Sequence, residues 1–268
     1  MTDTSPILLT ALADRVATLT LNRPEARNSL SLEMLHQLKS AIDGLGQDPG
    51  VRAIVLAGAG PAFCAGHDLK EMTAARQDAD GGRAFFLTTM TACSAMMQAV
   101  VHCPKPVIAA VHGIATAAGC QLVASCDLAV AAQNSRFATP GVNIGLFCST
   151  PMVALSRNVG RKRAMKMLLT GQMIDAATAA DWGLVSDVVA PGAVLAEAQD
   201  QARQIAEKSG ATLRIGKTAF YTQAEMGLAE AYAYATRVMV DNMMIDDARE
   251  GIGAFLEKRA PVWSGDAP

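Results

Sequence analysis

The chain is short of charge. Asp, Glu, Lys and Arg make up 18% of its 268 residues, aromatic residues only 4%, and the net charge at pH 7 is −2. That balance excludes the basic footprint of a nucleic-acid binder. A hydrophobic content of 51% excludes a disordered chain and promises a sizeable core. The six cysteines, Cys64, Cys93, Cys103, Cys120, Cys126 and Cys148, form no C-x-x-C pair. Buried, reduced thiols are therefore expected. The four histidines, His36, His67, His102 and His112, have no metal-ligand spacing, so no metal is expected. G-x-S-x-G and a Walker lysine are both missing, which disfavours a serine-hydrolase elbow and a P-loop. GAGPAF follows a strand, but Phe63 stands where a dinucleotide fingerprint needs its third glycine, so a strand-ending turn is the better reading. The N-terminus carries no basic n-region or Arg-rich presequence, and no run looks both long and uncharged enough to span a bilayer. A cytoplasmic protein without a membrane partner is the expectation.

What is present reads as an α/β chain of one large domain, or one domain with an appendage. Val16–Leu21 (VATLTL) alternates as a strand, and residues 51–57 and 107–111 read as buried strands. Ser31 is placed to cap a helix whose Leu32, Leu35, Leu38 and Ile42 share one face. Asp48-Pro49-Gly50 is a turn. A helix is predicted over 82–102, with Phe85, Phe86, Met90, Met97 and Val101 in the core. Short helices follow at 151–158, 161–169 and 175–181, then a strand at 185–189. From Val194 onward the pattern is helix alone. The change near Pro191-Gly192 predicts a core over 1–190 and a helical C-terminal region over 191–268.

Two stretches carry candidate chemistry. In PVIAAVHGIATAAGCQLVASCDLAV (106–130) a strand, a small-residue turn over 113–119, a helix over 118–126 and a strand over 128–132 follow in order. Small residues let a ligand approach the backbone, and a helix starting there aims free N–H groups at it. The same residues also let a helix pack tightly on a sheet, and the pattern leaves both readings open. In CAGHDLKEM, Gly66 lets the backbone turn and Asp68 can cap the next helix, which puts the His67 N–H at a second loop-to-helix junction. Two such N–H groups could hold one carbonyl oxygen as it becomes an enolate.

NRPEARNSL, AFCAGHDLKEM, VHGIATAAGCQLVASCDLAV, FATPGVNIGL, LLTGQMIDAATAADWGLVSDVV and EGIGAFLEKRAPVW together resemble the crotonase (enoyl-CoA hydratase/isomerase) superfamily, in order and over nearly the whole chain. The resemblance implies a ββα spiral core and a C-terminal helical part that drives trimerisation, commonly to a hexamer of stacked trimers. It implies an acyl-CoA substrate, with coenzyme A as part of that substrate and no redox cofactor or metal. It puts the oxyanion N–H groups on His67 and Ala118. It puts coenzyme A contacts at Ala26, Arg27, Ala65, Asp68, Leu69, Phe255 and Lys258. The hydratase glutamates fall on Gln121 and Gly141, and the aspartate of family isomerases and dehalogenases on Ser149. Gln121 orients water without exchanging its proton, and Gly141 offers no side chain. Each missing acid–base group commonly costs roughly 10²–10⁴-fold. The remaining polar candidates are His67, Gln121, Asn143, Cys148 and Ser149, with Cys148 a nucleophile that lacks an evident base.

Overall fold

The computed structural model describes residues 5–264. Its elements in chain order are β1 (Leu8–Ala13), β2 (Val16–Leu21), α1 (Leu32–Gln47), β3 (Ala53–Gly58), α2 (Leu69–Ala75), α3 (Arg83–His102), β4 (Val107–Val111), β5 (Ile114–Thr116), α4 (Ala118–Ser125), β6 (Leu128–Ala132) and β7 (Arg136–Ala138). They continue with α5 (Pro151–Asn158), α6 (Arg161–Thr170), β8 (Ile174–Asp175), α7 (Ala176–Asp181), β9 (Asp187–Val189), α8 (Val194–Ala206), α9 (Gly210–Gln223), α10 (Leu228–Met244) and α11 (Asp246–Glu257).

The main sheet runs β1-β2-β3-β4-β6-β9, antiparallel between β1 and β2 and parallel elsewhere. Strand alternation divides its side chains between two cores. Ala17, Leu19, Leu21, Ile54, Leu56, Ala109 and Val111 face α1, α3 and α4, whereas Val16, Val55, Ile108, Ala110 and Val130 meet Val194, Ala198 and Ala202 of α8. The helix-only run beyond residue 191 thus begins with a helix that covers the sheet. The short sheet β5-β7-β8 stands beside it, β5 parallel to β7 and β7 antiparallel to β8.

Several local expectations hold. Ser31 Oγ accepts the Met34 N–H at 3.1 Å, and Asp48 Oδ1 closes its turn on the Gly50 N–H at 2.7 Å. Others need correction. The turn expected over 113–119 contains strand β5, too short to announce itself in sequence. On α3 the buried stripe is Thr89, Cys93, Met96, Met97 and Val100, while Phe85, Phe86, Met90 and Val101 are only half-buried. The same helix also corrects the reading that no segment is apolar enough to span a bilayer. Within its 20 residues an 18-residue window reaches a mean hydropathy of 1.5. Only its buried stripe packs against α1 and α4 in the core; most of the window lies outside that stripe.

Candidate active site

The site begins with the turn before α2. Gly66 has φ of +99°, a conformation that side chains rarely tolerate. Leu30 and residues 66–68 exchange sheet-like bonds: the Leu30 N–H donates to Gly66 O at 2.7 Å and the Asp68 N–H to Leu30 O at 3.1 Å. In such a parallel bridge the His67 N–H points the other way, and it has no acceptor among the described residues. Asp68 then caps α2 by accepting the Lys70 N–H at 3.0 Å. Its other oxygen takes Arg23 Nη2 at 2.9 Å and Ser29 Oγ at 3.4 Å. Burial pushes this carboxyl up, but the Arg23 hydrogen bond, the Lys70 N–H and the guanidinium charge together hold it below the usual carboxylate range. Asp68 is thereby a buried anchor for the turn.

The second turn opens α4. Ala117 sits at φ 50°, ψ −117°, a strained position for a residue with a Cβ, and is held by its N–H donating to Ala138 O at 2.9 Å. Ala118 follows as the first helical residue, and its N–H also lacks an acceptor among the described residues. The two turns meet. A Cβ on Gly66 would lie 2.9 Å from Ala117 Cβ and 3.5 Å from Ala118 N, and one on Gly119 only 2.2 Å from Cys64 O. Glycine at both positions allows this approach. The adjoining bridge between Cys64 and Ala115 sets its register.

On α4 beyond the Ala118 N–H the side chains are buried and uncharged. Gln121, three residues into α4, is 5% exposed, and its Oε1 lies 4.0 Å from Cys93 Sγ on α3. Burial pushes the Cys93 thiol up to about 12. Burial lowers the His67 imidazole to about 4, so the ring is neutral near pH 7, and its Nε2 is enclosed without a partner among the described residues. Gly141 begins a buried corner in the 3-10 turn Pro140–Ile144. Its N–H donates to Cys148 Sγ at 3.4 Å, and a Cβ there would meet Leu146 O at 2.7 Å and Cys148 Sγ at 2.9 Å. The Cys148 thiol thus fills the space a side chain at 141 would need. Burial raises its pKa despite the Gly141 N–H, which keeps it protonated and corrects the nucleophile reading.

Two further candidates do not join this cluster. Asn143 is exposed beside the Gly171 turn, and Ser149 is exposed with its hydroxyl on Phe147 O. Of the positions expected to meet coenzyme A, Ala26–Arg27 and Ala65–Leu69 do come together, because the Ala65 N–H donates to Arg27 O at 3.0 Å. Arg27 and Leu69 are exposed there. Phe255, 82% exposed, and Lys258 lie at the end of α11, which packs on α9 and α10. No hydrogen bond or ion pair among the described residues ties them to that loop pair. One buried polar residue escaped the sequence reading entirely: Thr89, on α3 one turn before Cys93. Its position relative to α4 depends on helix packing, which a single sequence does not display.

Residues 12–266 match the family model described as enoyl-CoA hydratase/isomerase. The chain is similar to enoyl-CoA hydratase domain-containing protein 3, mitochondrial, of Rattus norvegicus: 47% identical over 251 residues, covering 94% of this chain and 82% of that one. Its fold is similar to that of a crystal structure of enoyl-CoA hydratase from Mycobacterium smegmatis, with TM-score 0.91, 52% identity and coverage of 97% and 99%. The crystal structure of human enoyl coenzyme A hydratase domain-containing protein 3 also gives TM-score 0.91, with 45% identity and coverage of 96% and 100%. The name of the rat relative places that protein in the mitochondrion, which overturns the expectation that this chain is cytoplasmic. The chain has the crotonase fold and belongs to the enoyl-CoA hydratase/isomerase family.

Proposed function

We propose that the chain is an acyl-CoA thioester enzyme in which the N–H groups of His67 and Ala118 hold the thioester oxygen as an enolate forms. The observation that carries this reading is the approach of the two turns, with the Gly66–His67 peptide beside Ala118 N and both donors free of protein acceptors among the described residues. A donor placed where charge develops contributes most when it is rigid and dry, and loss of one typically costs about 3–4 kcal/mol in the transition state. Both donors here are backbone groups at glycine-tight junctions. Coenzyme A enters as part of the substrate, along the surface where Ala26, Arg27, Ala65 and Leu69 converge. Phe255 and Lys258 reach it in this reading from α11 of a trimer, or of a hexamer of stacked trimers. Apolar residues exposed on α10 and α11, Leu228, Tyr232, Met243, Ile252 and Phe255 among them, are what such an assembly would cover.

Hydration fits this site poorly. Gln121 stands where a proton-exchanging group is needed, and Cys148 occupies the room beside Gly141. That favours a second reading of the same site, an acyl-CoA decarboxylase, because loss of CO₂ generates the enolate without a base. A non-catalytic acyl-CoA binder is the remaining alternative. Incubating the protein with a panel of enoyl-, malonyl-, methylmalonyl- and hydroxyacyl-CoA esters and following masses separates them. New acyl masses support an enzyme, CO₂ loss from the dicarboxylic esters supports the decarboxylase, and thermal stabilisation without product supports the binder. Absence of both binding and turnover would sink the thioester reading.

A further inference from the structure

The run D-L-K-E over 68–71 has the spacing of a capping box, in which the last side chain closes back on the backbone N–H of the first residue. Asp68 keeps its half of that arrangement by capping α2. Glu71 does not close the other half. The Asp68 N–H donates to Leu30 O, and Glu71 Oε2 accepts instead from the Leu32 N–H at 3.0 Å. Leu32 is the first residue of α1, so its N–H has no intrahelical acceptor. A carboxylate is a strong acceptor for such a group, and the helix dipole adds to the attraction. The bond closes a ring around the first turn. Residues 29–32 run beside residues 66–71 and are joined to them through Ser29 to Asp68, Leu30 to Gly66 and Asp68, and Leu32 to Glu71. The two sides of this ring are rooted unequally. α1 is fixed in the core by Met34, Leu35, Leu38 and Ile42, whereas α2 buries only Ala75. Packing therefore holds α1 but does little for α2, and the Glu71 bond carries the position of the first helix to the second.

We infer that Glu71 is a positioning residue: by tying α2 to the first turn of α1 it fixes the direction of the His67 N–H. This rests on the proposal that the His67 and Ala118 N–H groups hold the thioester oxygen. Glu71 acts through the turn and touches no ligand atom. Its effect is on alignment, because a donor stabilises developing charge most when it is set in place beforehand. Ser31 provides a contrast on the same helix. Its Oγ accepts the Met34 N–H at 3.1 Å, so it caps α1 without reaching α2.

Isothermal titration calorimetry with acetoacetyl-CoA and butyryl-CoA tests this. In mildly alkaline buffer acetoacetyl-CoA ionises to an enolate that puts charge on its thioester oxygen, whereas butyryl-CoA stays neutral at that atom. The unaltered protein should prefer acetoacetyl-CoA. Glu71→Ala should reduce that preference about tenfold, short of the roughly 10²–10³-fold that loss of a whole donor costs, and should leave butyryl-CoA binding within about twofold. Glu71→Gln, which keeps an acceptor oxygen, should retain most of the preference. Ser31→Ala removes a cap from the same helix, so it should lower the melting temperature about as much as Glu71→Ala while leaving the preference unchanged. An unchanged preference in Glu71→Ala would overturn this inference alone, as would an equal loss in Ser31→Ala or in Glu71→Gln. No preference in the unaltered protein would overturn the reading of the two N–H groups, and failure of both esters to bind would overturn the thioester reading; this inference falls with either.

Discussion

The two turns at His67 and Ala118 and the corner at Gly141–Cys148 border the same site but use the chain differently. At the turns the atoms proposed to act are backbone N–H groups, so the side chains are constrained only by fit. Glycines at 66 and 119 allow the approach, and the buried pair of Asp68 with Arg23 anchors the first turn. At the corner, the family's chemistry would need a specific carboxylate. Gly141 has no side chain, and the Cys148 thiol fills the adjoining space. On the proposed reading the electrostatic half of the site is written in backbone geometry and the acid–base half in single side chains, so the two can be altered independently.

The sharpest way to break the comparison is at the turns. In Gly119→Ala the added Cβ would lie 2.2 Å from the backbone Cys64 O, where no rotamer change gives relief. Overpacking of that kind should cost about 3 kcal/mol or more. Misplacing a donor should also lower turnover on the order of 10²–10³-fold. Thermal denaturation and the turnover of whichever ester the mass screen identifies give the two readouts. A variant of native stability and rate would show that the two turns need not be so close.

A smaller effect is expected at the corner, and it sharpens the contrast. Gly141→Glu alone forces its Cβ against Cys148 Sγ and Leu146 O, at a cost of about 2 kcal/mol. It should not add crotonyl-CoA hydration, because the carboxylate has no room to enter. Adding Cys148→Gly removes one of the two collisions. The double variant should recover about 1 kcal/mol in urea denaturation and raise hydration at least about tenfold over the single variant. Equal behaviour of the two variants would mean that the thiol is not what closes the site.

This contrast also explains what was legible in the sequence. Strands β3, β4 and β6 are continuous apolar runs, and the caps Ser31 and Asp68 name themselves by residue type, so the scaffold could be read locally. The strands β5, β7 and β8 have three residues or fewer, too few for a period to show. Periodicity on α3 favoured Phe85 and Phe86 because they are large, yet the sheet and α4 select the stripe of Thr89, Cys93 and Met97. The change of composition at Pro191-Gly192 is real, but α8 lies beyond it and still covers the sheet through Val194, Ala198 and Ala202. Likewise, that Cys148 fills the place of a side chain at 141 is a statement about two residues folded onto each other, and neither carries it alone.

A last test separates the two regions by acid. At the turns Asp68 is held below the usual carboxylate range, so His67 is the group that titrates in mild acid, and burial lowers its pKa from about 6.5 to about 4. Between those values the unfolded chain binds a proton that the folded site refuses, so stability rises with pH across the window. The contribution is complete above about 6.5 and is lost as pH falls toward 4, with a slope of at most about 1.4 kcal/mol per pH unit from this one group. The corner contributes nothing in that range, since its only ionisable group, the Cys148 thiol, is pushed up and away from it. Urea midpoints measured from pH 7 to about pH 4.5 should therefore decline in the unaltered protein. The decline should flatten in His67→Gln, which keeps the backbone N–H but cannot titrate, and persist in Cys148→Ala. A slope that survives His67→Gln would place the acid sensitivity elsewhere and argue that the imidazole is hydrated.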